Sequence, residues 1–212
     1  MNMKQLQKNG WIEIDYSNYD EDLINIAKEF GTIINHPNGS IIDYIRPKKK
    51  TEALKNTLSY NFEYKEFPLH TDTAFWEIPS RYVLLSCENY SSTATTIIKS
   101  EELINLLSIK ELSEFKNSIF LVKTQNSNFY TSILSIICNI KCFRFDSNCM
   151  RPLNNSAKIS EEIIKEKIQL IEVTRIIWNN PKILIFDNWS TLHGRDEVVN
   201  DEKRIIKRIY IK

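Results

Sequence analysis

Histidine gives the first indication of chemistry in this sequence, because the 212-residue chain contains only three: His36, His70 and His193. His70 begins the tripeptide His70-Thr71-Asp72. In an extended segment, positions i and i+2 point to the same side, so this imidazole and this carboxylate could reach one metal ion. The composition alone yields about 0.4 such matches by chance, so the tripeptide needs support from elsewhere in the chain.

His193 supplies that support. It follows an apolar run at residues 183–186, typical of a buried strand, and the polar tripeptide Asp187-Asn188-Trp189. Two neutral imidazoles and one carboxylate on one face of an octahedral ion leave the opposite face free, which suits non-haem Fe(II) in oxygen chemistry. His70, Asp72 and His193 meet that requirement. For either histidine taken alone, an ordinary hydrogen-bonded residue is the simpler interpretation.

Two arginines near the end of the chain add an anion-binding element. Arg204 and Arg208 stand 11 and 15 residues after His193, in a strand-like run at residues 204–211. The i, i+2, i+4 alternation puts both on one face and isoleucines on the other. An inward-facing guanidinium needs an anionic partner, and a carboxylate bound through two hydrogen bonds is the usual one. The alternative is a solvated edge strand.

The elements that must position these residues are mainly strands. Strands are predicted at residues 11–14, 41–45, 82–87, 95–98, 119–123, 141–145, 183–186 and 205–211. Helices are predicted from Asp20 to Gly31, over residues 100–115, and over residues 160–178 with Ser160 as the N-cap. Many short strands with a few flanking helices favour a mostly β fold, a double-sheet jelly roll of the cupin-like kind.

Composition limits the class of protein. At 42% hydrophobic and 11% aromatic, the chain can close a full core, and residues 1–212 are expected to form one domain. A net charge of +1 gives no field that would attract nucleic acid or an anionic membrane. The sequence shows neither a signal-peptide layout nor an apolar run of membrane-spanning length, which predicts a soluble, cytoplasmic protein. The spacing of the four cysteines favours free thiols over disulfides or a zinc site.

Two segments and the arginines together resemble a known family. The segments are residues 67–76, Phe-Pro-Leu-His-Thr-Asp-Thr-Ala-Phe-Trp, with Pro-Ser-Arg-Tyr at 79–82, and residues 187–195, Asp-Asn-Trp-Ser-Thr-Leu-His-Gly-Arg. With Arg204 and Arg208 behind them, they resemble the Fe(II)- and 2-oxoglutarate-dependent oxygenases related to taurine dioxygenase and clavaminate synthase. The resemblance implies a double-stranded β-helix.

The resemblance also implies roles for individual residues. His70, Asp72 and His193 would be the iron ligands and form the catalytic centre. Arg204 would bind the distal carboxylate of 2-oxoglutarate, with Thr96 as a second hydrogen bond to that group. Arg208 would lie near the cosubstrate or near an anionic part of the substrate, and these two alternatives stay open.

The implied reaction consumes 2-oxoglutarate and O2 and hydroxylates an unactivated C–H bond of a small molecule, with an amino acid or natural-product precursor as the expected substrate. Desaturation or cyclisation remains an alternative, whereas Asp72 disfavours halogenation because halogenating relatives carry a small residue there. The chain is shorter than most relatives, so a reduced lid insert is expected. A non-catalytic jelly-roll binding protein and a hydrolytic or structural metalloprotein are the competing hypotheses, and the oligomeric state is left open.

Four further residues are weaker candidates for the substrate pocket. Arg195 could order the metal-binding loop or form a surface ion pair. Phe75 and Trp76 could form walls of the pocket or belong to the core. Arg144, with Asp146, could recognise an amino-acid-like substrate, although a solvated face is the favoured interpretation. His36 and the basic run at residues 46–50 are expected in loops.

Overall fold

Strands dominate the structure. A computed structural model of the protein describes residues 3–15, 20–55, 57–87, 89–124 and 128–212. The helices are α1 (Met3–Asn9), α2 (Asp20–Lys28), α3 (Leu58–Phe62), α4 (Ser100–Asn105), α5 (Ile109–Asn117) and α6 (Asn155–Ile168). The strands are β1 (Trp11–Asp15), β2 (Ile33–Ile34), β3 (Asp43–Ile45), β4 (Phe67–His70), β5 (Tyr82–Cys87), β6 (Ser91–Lys99), β7 (Phe120–Lys123), β8 (Asn128–Thr131), β9 (Leu134–Ile137), β10 (Ile140–Phe143), β11 (Met150–Pro152), β12 (Thr174–Trp178), β13 (Lys182–Asp187), β14 (Thr191–Arg195) and β15 (Ile206–Ile211).

The larger sheet has the strand order β1-β13-β5-β15-β2, with β3 also paired to β15, and every pairing is antiparallel. Its central strands β5 and β13 are covered on both faces, which explains their nearly unbroken apolar sequences. On the outer face, α1 and α2 contribute Leu6, Leu23 and Ala27 to a core that also contains Ile185 and Ile209. This helical layer fixes the back of the sheet, so its front face is free to form an interior.

A four-stranded sheet, β12-β6-β14-β4, faces that interior from the other side, and two small sheets, β10-β9 and β11-β7-β8, lie outside this pair. Ile97 of β6 belongs to a buried cluster with Val83, Phe186 and Tyr210 of the larger sheet. The next residue, Ile98, points the opposite way and packs in the core beneath α4, α5 and α6. Side chains at alternate positions of β6, on the same face as Ile97, therefore project into the space between the two sheets.

The expectation of a mostly β fold with flanking helices is confirmed. Each strand predicted from the sequence has a counterpart, with the bounds shifted by a few residues at most. The four cysteines are free thiols. Within the described ranges, no helix combines the length and apolar character needed to cross a bilayer.

The predicted helix over residues 160–178 is wrong at both ends. Helix α6 has Asn154 as its N-cap, and the Asn154 side chain accepts a hydrogen bond from the backbone N–H of Ala157 at 2.9 Å. The helix ends at Ile168, and β12 pairs instead with β6 as an edge strand whose Ile176 and Trp178 are buried. Ile176 fits both a helical period and a period of two, and the β-branched residues around it favour the strand.

The predicted helix over residues 100–115 divides into α4 and α5. Ser108 is the N-cap of α5, with a capping box in which Glu111 and Ser108 exchange hydrogen bonds. This Ser-x-x-Glu spacing is the usual sequence signature of a helix start. It lies inside residues 100–115, which the apolar periodicity alone predicts as one continuous helix. Local capping chemistry therefore overrides the periodicity here.

Asn154 and Ser160 make a matched pair for testing where α6 begins. Asn154→Ala should lower the free energy of unfolding by about 1–2 kcal/mol, because it removes the cap of α6 and a second hydrogen bond to the backbone N–H of Ile119. Ser160→Ala should be neutral or stabilising, since the buried Ser160 hydroxyl has no partner. Urea unfolding of the two variants measures both effects, and a costlier Ser160→Ala would restore Ser160 as the cap.

Candidate metal centre

Strand pairing brings the three expected ligands together. His70 is the last residue of β4 and lies opposite His193 of β14 in the antiparallel register. Asp72 follows two residues later, and one donor atom from each of the three side chains lies within 4.8 Å of the others. His193 Nε2 is 3.5 Å from Asp72 Oδ2, and the two imidazole centroids are 4.4 Å apart. The side chains are arranged as a cluster that could hold one metal ion.

The hydrogen bonds of the imidazoles define which nitrogens face the cluster. His70 Nδ1 lies 2.9 Å from the Pro68 carbonyl oxygen, so Nδ1–H donates there and Nε2 keeps its lone pair. His193 directs Nε2 toward Asp72, while its Nδ1 is buried without a partner. Both rings therefore present Nε2 to the same point.

Asn188 holds the backbone of Asp72. Its side-chain oxygen accepts from the Asp72 backbone N–H at 2.9 Å, and its amide group donates to the carbonyls of Asp72 and Ser80, each at 2.9 Å. Asn188 is fully buried, and Thr73 beside Asp72 has a positive φ of 53°. These contacts fix the sharp bend that turns the Asp72 carboxylate back toward the histidines.

Electrostatics keep Asp72 and His193 in their metal-binding protonation states. Burial alone would raise the pKa of Asp72, but the Arg208 guanidinium and the two imidazoles lower it to about 2. Burial, reinforced by His70, lowers the pKa of His193 to about 3. At neutral pH the site therefore offers an ionised carboxylate and a neutral His193 imidazole, the forms that bind a divalent metal.

Arg208 lies between two carboxylates. Its Nη1 donates to both oxygens of Asp72, at 3.0 and 3.2 Å, and its Nη2 donates to Asp43 at 3.0 Å. The Tyr210 hydroxyl also donates to Asp72 Oδ1, at 3.3 Å. Burial would lower the pKa of Arg208, but Asp72, Tyr210 and Asp43 raise it above its usual range. Arg208 is thus paired within the protein itself.

Arg204 has a different environment. It is only 8% exposed, and it forms no ion pair with any carboxylate of the described chain. Its Nη2 donates to Thr95 Oγ1 at 3.5 Å, while its Nε is buried without a partner. Burial lowers its pKa, as it does the pKa of the neighbouring Arg195, which falls to about 10 through burial and the Arg204 charge. Two buried guanidinium groups therefore lie close together, and the Cys87 and Asp201 charges partly oppose the effect of burial on the pKa of Arg204.

The threonine beside Arg204 is Thr95, whereas the resemblance implied Thr96. Thr95 shares the interior face of β6 with Ile97, and its hydroxyl accepts hydrogen bonds from Arg204 and, at 3.2 Å, from Trp178 Nε1. Thr96 faces the other way, toward Gly194. A difference of one residue in a strand reverses the face on which a side chain lies.

Gly194 allows the strands around His193 to approach closely. A Cβ at this position would lie 2.5 Å from the Phe67 carbonyl oxygen and 2.8 Å from Thr96 Oγ1. No side chain fits such a gap unless the strands move apart. The close contact of β14 with β4 and β6 thus depends on a glycine directly after His193.

Three of the weaker pocket candidates lie near the site. Arg195 is buried and donates to the carbonyls of Glu63 and Lys65, at 2.8 and 2.6 Å. It therefore orders the segment before β4, and among the described residues it forms no surface ion pair. Phe75 and Trp76 are half-buried and line a cavity of about 390 Å³. Trp76 packs edge-on against Tyr210, with ring centroids 5.4 Å apart.

The favoured expectation of a solvated face at Arg144 and Asp146 is wrong, because both are buried. Arg144 donates to the carbonyls of Trp76 and Glu77, at 3.1 and 2.8 Å, and so holds the loop that follows Asp72. His36 lies in a loop as expected but is buried, and its Nε2 donates to the Arg208 carbonyl at 3.0 Å.

Sequence reasoning missed four residues that shape the site: Asp43, Thr95, Asn188 and Tyr210. Two sequence signals point to Asn188: it is a polar residue directly after a buried strand, and it lies close to His193 in the sequence. Neither signal identifies the Asp72 backbone as its partner. Asp43 carries no such signal, since only the pairing of β3 with β15 brings it to Arg208. Contacts between distant strands account for these omissions.

No protein-family model matches the sequence, and no curated protein matches it. Solved structures do match. Asparagine oxygenase (AsnO) has a TM-score of 0.78 at 15% identity, covering 99% of this chain and 75% of its own. The non-haem iron oxygenase OrfP, bound to Fe and α-ketoglutaric acid, has a TM-score of 0.76 at 15% identity, and the match covers 100% of this chain and 77% of OrfP.

A third structure, PvcB from Pseudomonas aeruginosa, has a TM-score of 0.72 at 15% identity and covers 98% of this chain and 77% of its own. PvcB is described as an Fe, α-ketoglutarate-dependent oxygenase from an isonitrile synthetic pathway. The chain has the fold of these oxygenases. The likeness to such oxygenases that the two histidine segments predicted is therefore confirmed at the level of the overall fold, and it extends over essentially the whole chain.

The depressed pKa of His193 predicts a specific pH dependence of stability. The folded protein keeps His193 neutral down to about pH 3, whereas the unfolded chain takes up a proton below about pH 6.5. The free energy of unfolding of metal-free protein should therefore fall as the pH decreases through 6.5. His193→Asn should reduce that slope by about 1 kcal/mol per pH unit between pH 6 and 5. Urea titrations in the presence of a chelator measure this, and equal slopes in the two proteins would contradict it.

Proposed function

We propose that the protein is an Fe(II)- and 2-oxoglutarate-dependent oxygenase that hydroxylates a C–H bond of a small molecule, with an amino acid as the favoured substrate. The observation that carries the proposal is Arg204, a buried guanidinium without an ion-pair partner among the described residues, at the interior face that also bears the His70, Asp72 and His193 cluster. A buried charge without a counter-ion is costly. A ligand carboxylate would remove that cost.

The spacing between Arg204 and the metal cluster suits 2-oxoglutarate. Thr95, which Arg204 contacts, is two residues from Ile97, the strand partner of His193. Two residues along a strand span about 7 Å. A five-carbon dicarboxylate can extend over such a gap, with one end at the metal and the other at Arg204. The Thr95 hydroxyl already accepts from Arg204 and Trp178, so its own proton is free to donate to that carboxylate.

The donor set fits iron. Two imidazoles that direct Nε2 to one point and one ionised carboxylate form the facial arrangement of non-haem Fe(II) oxygenases. When bound, Fe(II) would supply O2 activation coupled to the oxidative decarboxylation of 2-oxoglutarate to succinate and CO2. The protein's part is to hold the three ligands on one face, to orient 2-oxoglutarate through Arg204 and Thr95, and to exclude water with the apolar interior around Phe186 and Trp178.

An amino-acid substrate is supported by the matching structures. Asparagine oxygenase has been crystallised with 3-hydroxyasparagine and succinate, and OrfP with (3S)-hydroxy-L-Arg. In this chain, Trp76 packs against Tyr210, which donates to Asp72, so the cavity lined by Phe75 and Trp76 is the candidate substrate entrance. Desaturation or cyclisation by the same site is the alternative outcome. A non-catalytic binding protein is disfavoured, because all three ligand-type side chains and Arg204 are present.

We further propose a fold topology, a domain organisation and a cellular compartment for the protein. The two facing sheets would form a double-stranded β-helix within a single domain spanning residues 1–212, with a reduced lid insert between Asp72 and His193. The cytoplasm is the proposed compartment, in keeping with the free thiols of the chain. The partner is a small molecule, and neither nucleic acid nor a membrane is proposed.

The activity can be tested before the substrate is known. With Fe(II), 2-oxoglutarate and O2, the protein should release succinate and CO2 slowly, and a chelator should stop the release. Asp72→Ala should abolish coupled turnover, since loss of a direct metal ligand should exceed the roughly 10- to 100-fold cost of losing an outer partner. 2-Oxoglutarate should still bind to that variant through Arg204. Retention of more than about a tenth of wild-type turnover would remove Asp72 from the ligand set.

Two neighbouring threonines give a matched test of the cosubstrate site. Arg204→Lys keeps the charge but loses the forked donor, so the affinity for 2-oxoglutarate should fall by roughly 10- to 100-fold, about 1.4–2.8 kcal/mol. Thr95→Val should also weaken 2-oxoglutarate, whereas Thr96→Val, which faces away from Arg204, should not. Calorimetric titration of 2-oxoglutarate into the Mn(II)-loaded proteins measures all three. A loss confined to Thr96→Val would restore Thr96 to the role that the resemblance implied.

A further inference from the structure

The link between Asp43, Arg208 and Asp72 sets Arg208 apart from Arg204. The Arg208 guanidinium contacts a carboxylate through each of its terminal nitrogens, at 3.0 Å to Asp72 and 3.0 Å to Asp43. Arg204, in contrast, has no carboxylate partner among the described residues. Arg208 therefore links the outer carboxylate of Asp43 to Asp72, one of the three expected ligands.

The contacts to Asp72 hold both of its oxygens. Oδ1 accepts from Arg208 at 3.0 Å and from Tyr210 at 3.3 Å, and Oδ2 accepts from Arg208 at 3.2 Å and lies 3.5 Å from His193 Nε2. A carboxylate held in this way stays oriented toward His193, so Arg208 and Tyr210 would position Asp72 for metal binding.

A guanidinium beside a divalent metal ion would ordinarily weaken metal binding through charge repulsion. Asp43 offsets this, because its carboxylate contacts the opposite end of the same guanidinium. The Asp43 side chain is 30% exposed, and Arg208 is 22% exposed, so the pair lies at the edge of the buried site rather than in bulk solvent. Removing the Asp43 charge would leave the repulsion between Arg208 and the metal ion uncompensated. It would also leave the Arg208 guanidinium less constrained.

We propose that Asp43 is a positioning residue of the metal site, which acts through Arg208 to orient the Asp72 carboxylate and to neutralise the guanidinium next to the metal. This inference rests on the metal centre of the proposed function. It leaves the role proposed for Arg204 unchanged.

Co(II) binding without 2-oxoglutarate tests the proposal independently of turnover. Asp43→Asn should weaken Co(II) binding by about 10-fold, at the lower end of the usual effect of an outer partner, and should shift the visible d–d bands of the saturated protein. Asp20→Asn is the matched control. Asp20 pairs with Lys207, the residue before Arg208 on β15, and accepts from the Tyr44 hydroxyl, but its side chain is 44% exposed and among the described residues it contacts neither Arg208 nor Asp72. Asp20→Asn should change neither quantity.

A conservative change at the centre of the link separates geometry from charge. Arg208→Lys keeps the positive charge, but one ammonium group cannot reproduce two separate nitrogen contacts to Asp72 and Asp43. It should weaken Co(II) by a similar factor. The double variant should bind no more than about twofold weaker than the weaker single variant, because both changes break the same link. Fully additive losses would overturn the proposal.

The remaining outcomes are equally decisive. If Asp43→Asn binds Co(II) within about twofold of the wild type and its saturated spectrum is unchanged, the proposal is overturned while the metal centre stands. If Asp43→Asn lowers only the urea midpoint and leaves the saturated spectrum unchanged, Asp43 is structural, and the proposal is also overturned. If the wild type binds Co(II) no better than His193→Asn does, the metal centre itself fails, and with it both the proposed function and this inference.

Discussion

The register between β4 and β14 is the constraint on which the site depends. It sets His70 opposite His193 and, through the next pairing, sets His193 opposite Ile97 of β6. Because strand side chains alternate with a period of two, a slip of one residue would turn an imidazole out of the interior. The cluster is therefore a product of backbone hydrogen bonding, and the side chains need little freedom of their own to form it.

Burying that cluster leaves polar groups that the protein must satisfy. Asp72 obtains partners from two directions, with Arg208 and Tyr210 on its carboxylate and Asn188 on its backbone. These contacts span 116 to 138 residues of sequence, so they form only when the two sheets have come together. Arg204 is the contrasting case, since it is buried and forms no ion pair with a described carboxylate, although the Asp201 charge opposes the lowering of its pKa by burial.

The sequence predicted those parts of the fold that depend on local pattern. Unbroken apolar runs predicted β5 and β13, and alternation in the last strand correctly placed Arg208 on the interior face. The helix errors at Ser108 and Ser160 arose where capping chemistry or β-branching competes with an apolar period. For the site, the types and spacing of His70, Asp72 and His193 were sufficient to predict their convergence. The partners of those residues could not be predicted, because Asp43 and Thr95 reach the site only through strand pairing.

Gly194 carries a consequence for the variation that this chain can tolerate. The space that a Cβ would need there is already taken by the Phe67 carbonyl on one side and the Thr96 hydroxyl on the other. Even alanine would force β14 away from both neighbours and shift His193, although position 194 itself supplies no chemistry. In a mutational library built to alter substrate choice, position 194 should therefore be kept fixed as firmly as the histidine before it. Diversity is better directed to the exposed side chains around the Phe75 and Trp76 cavity.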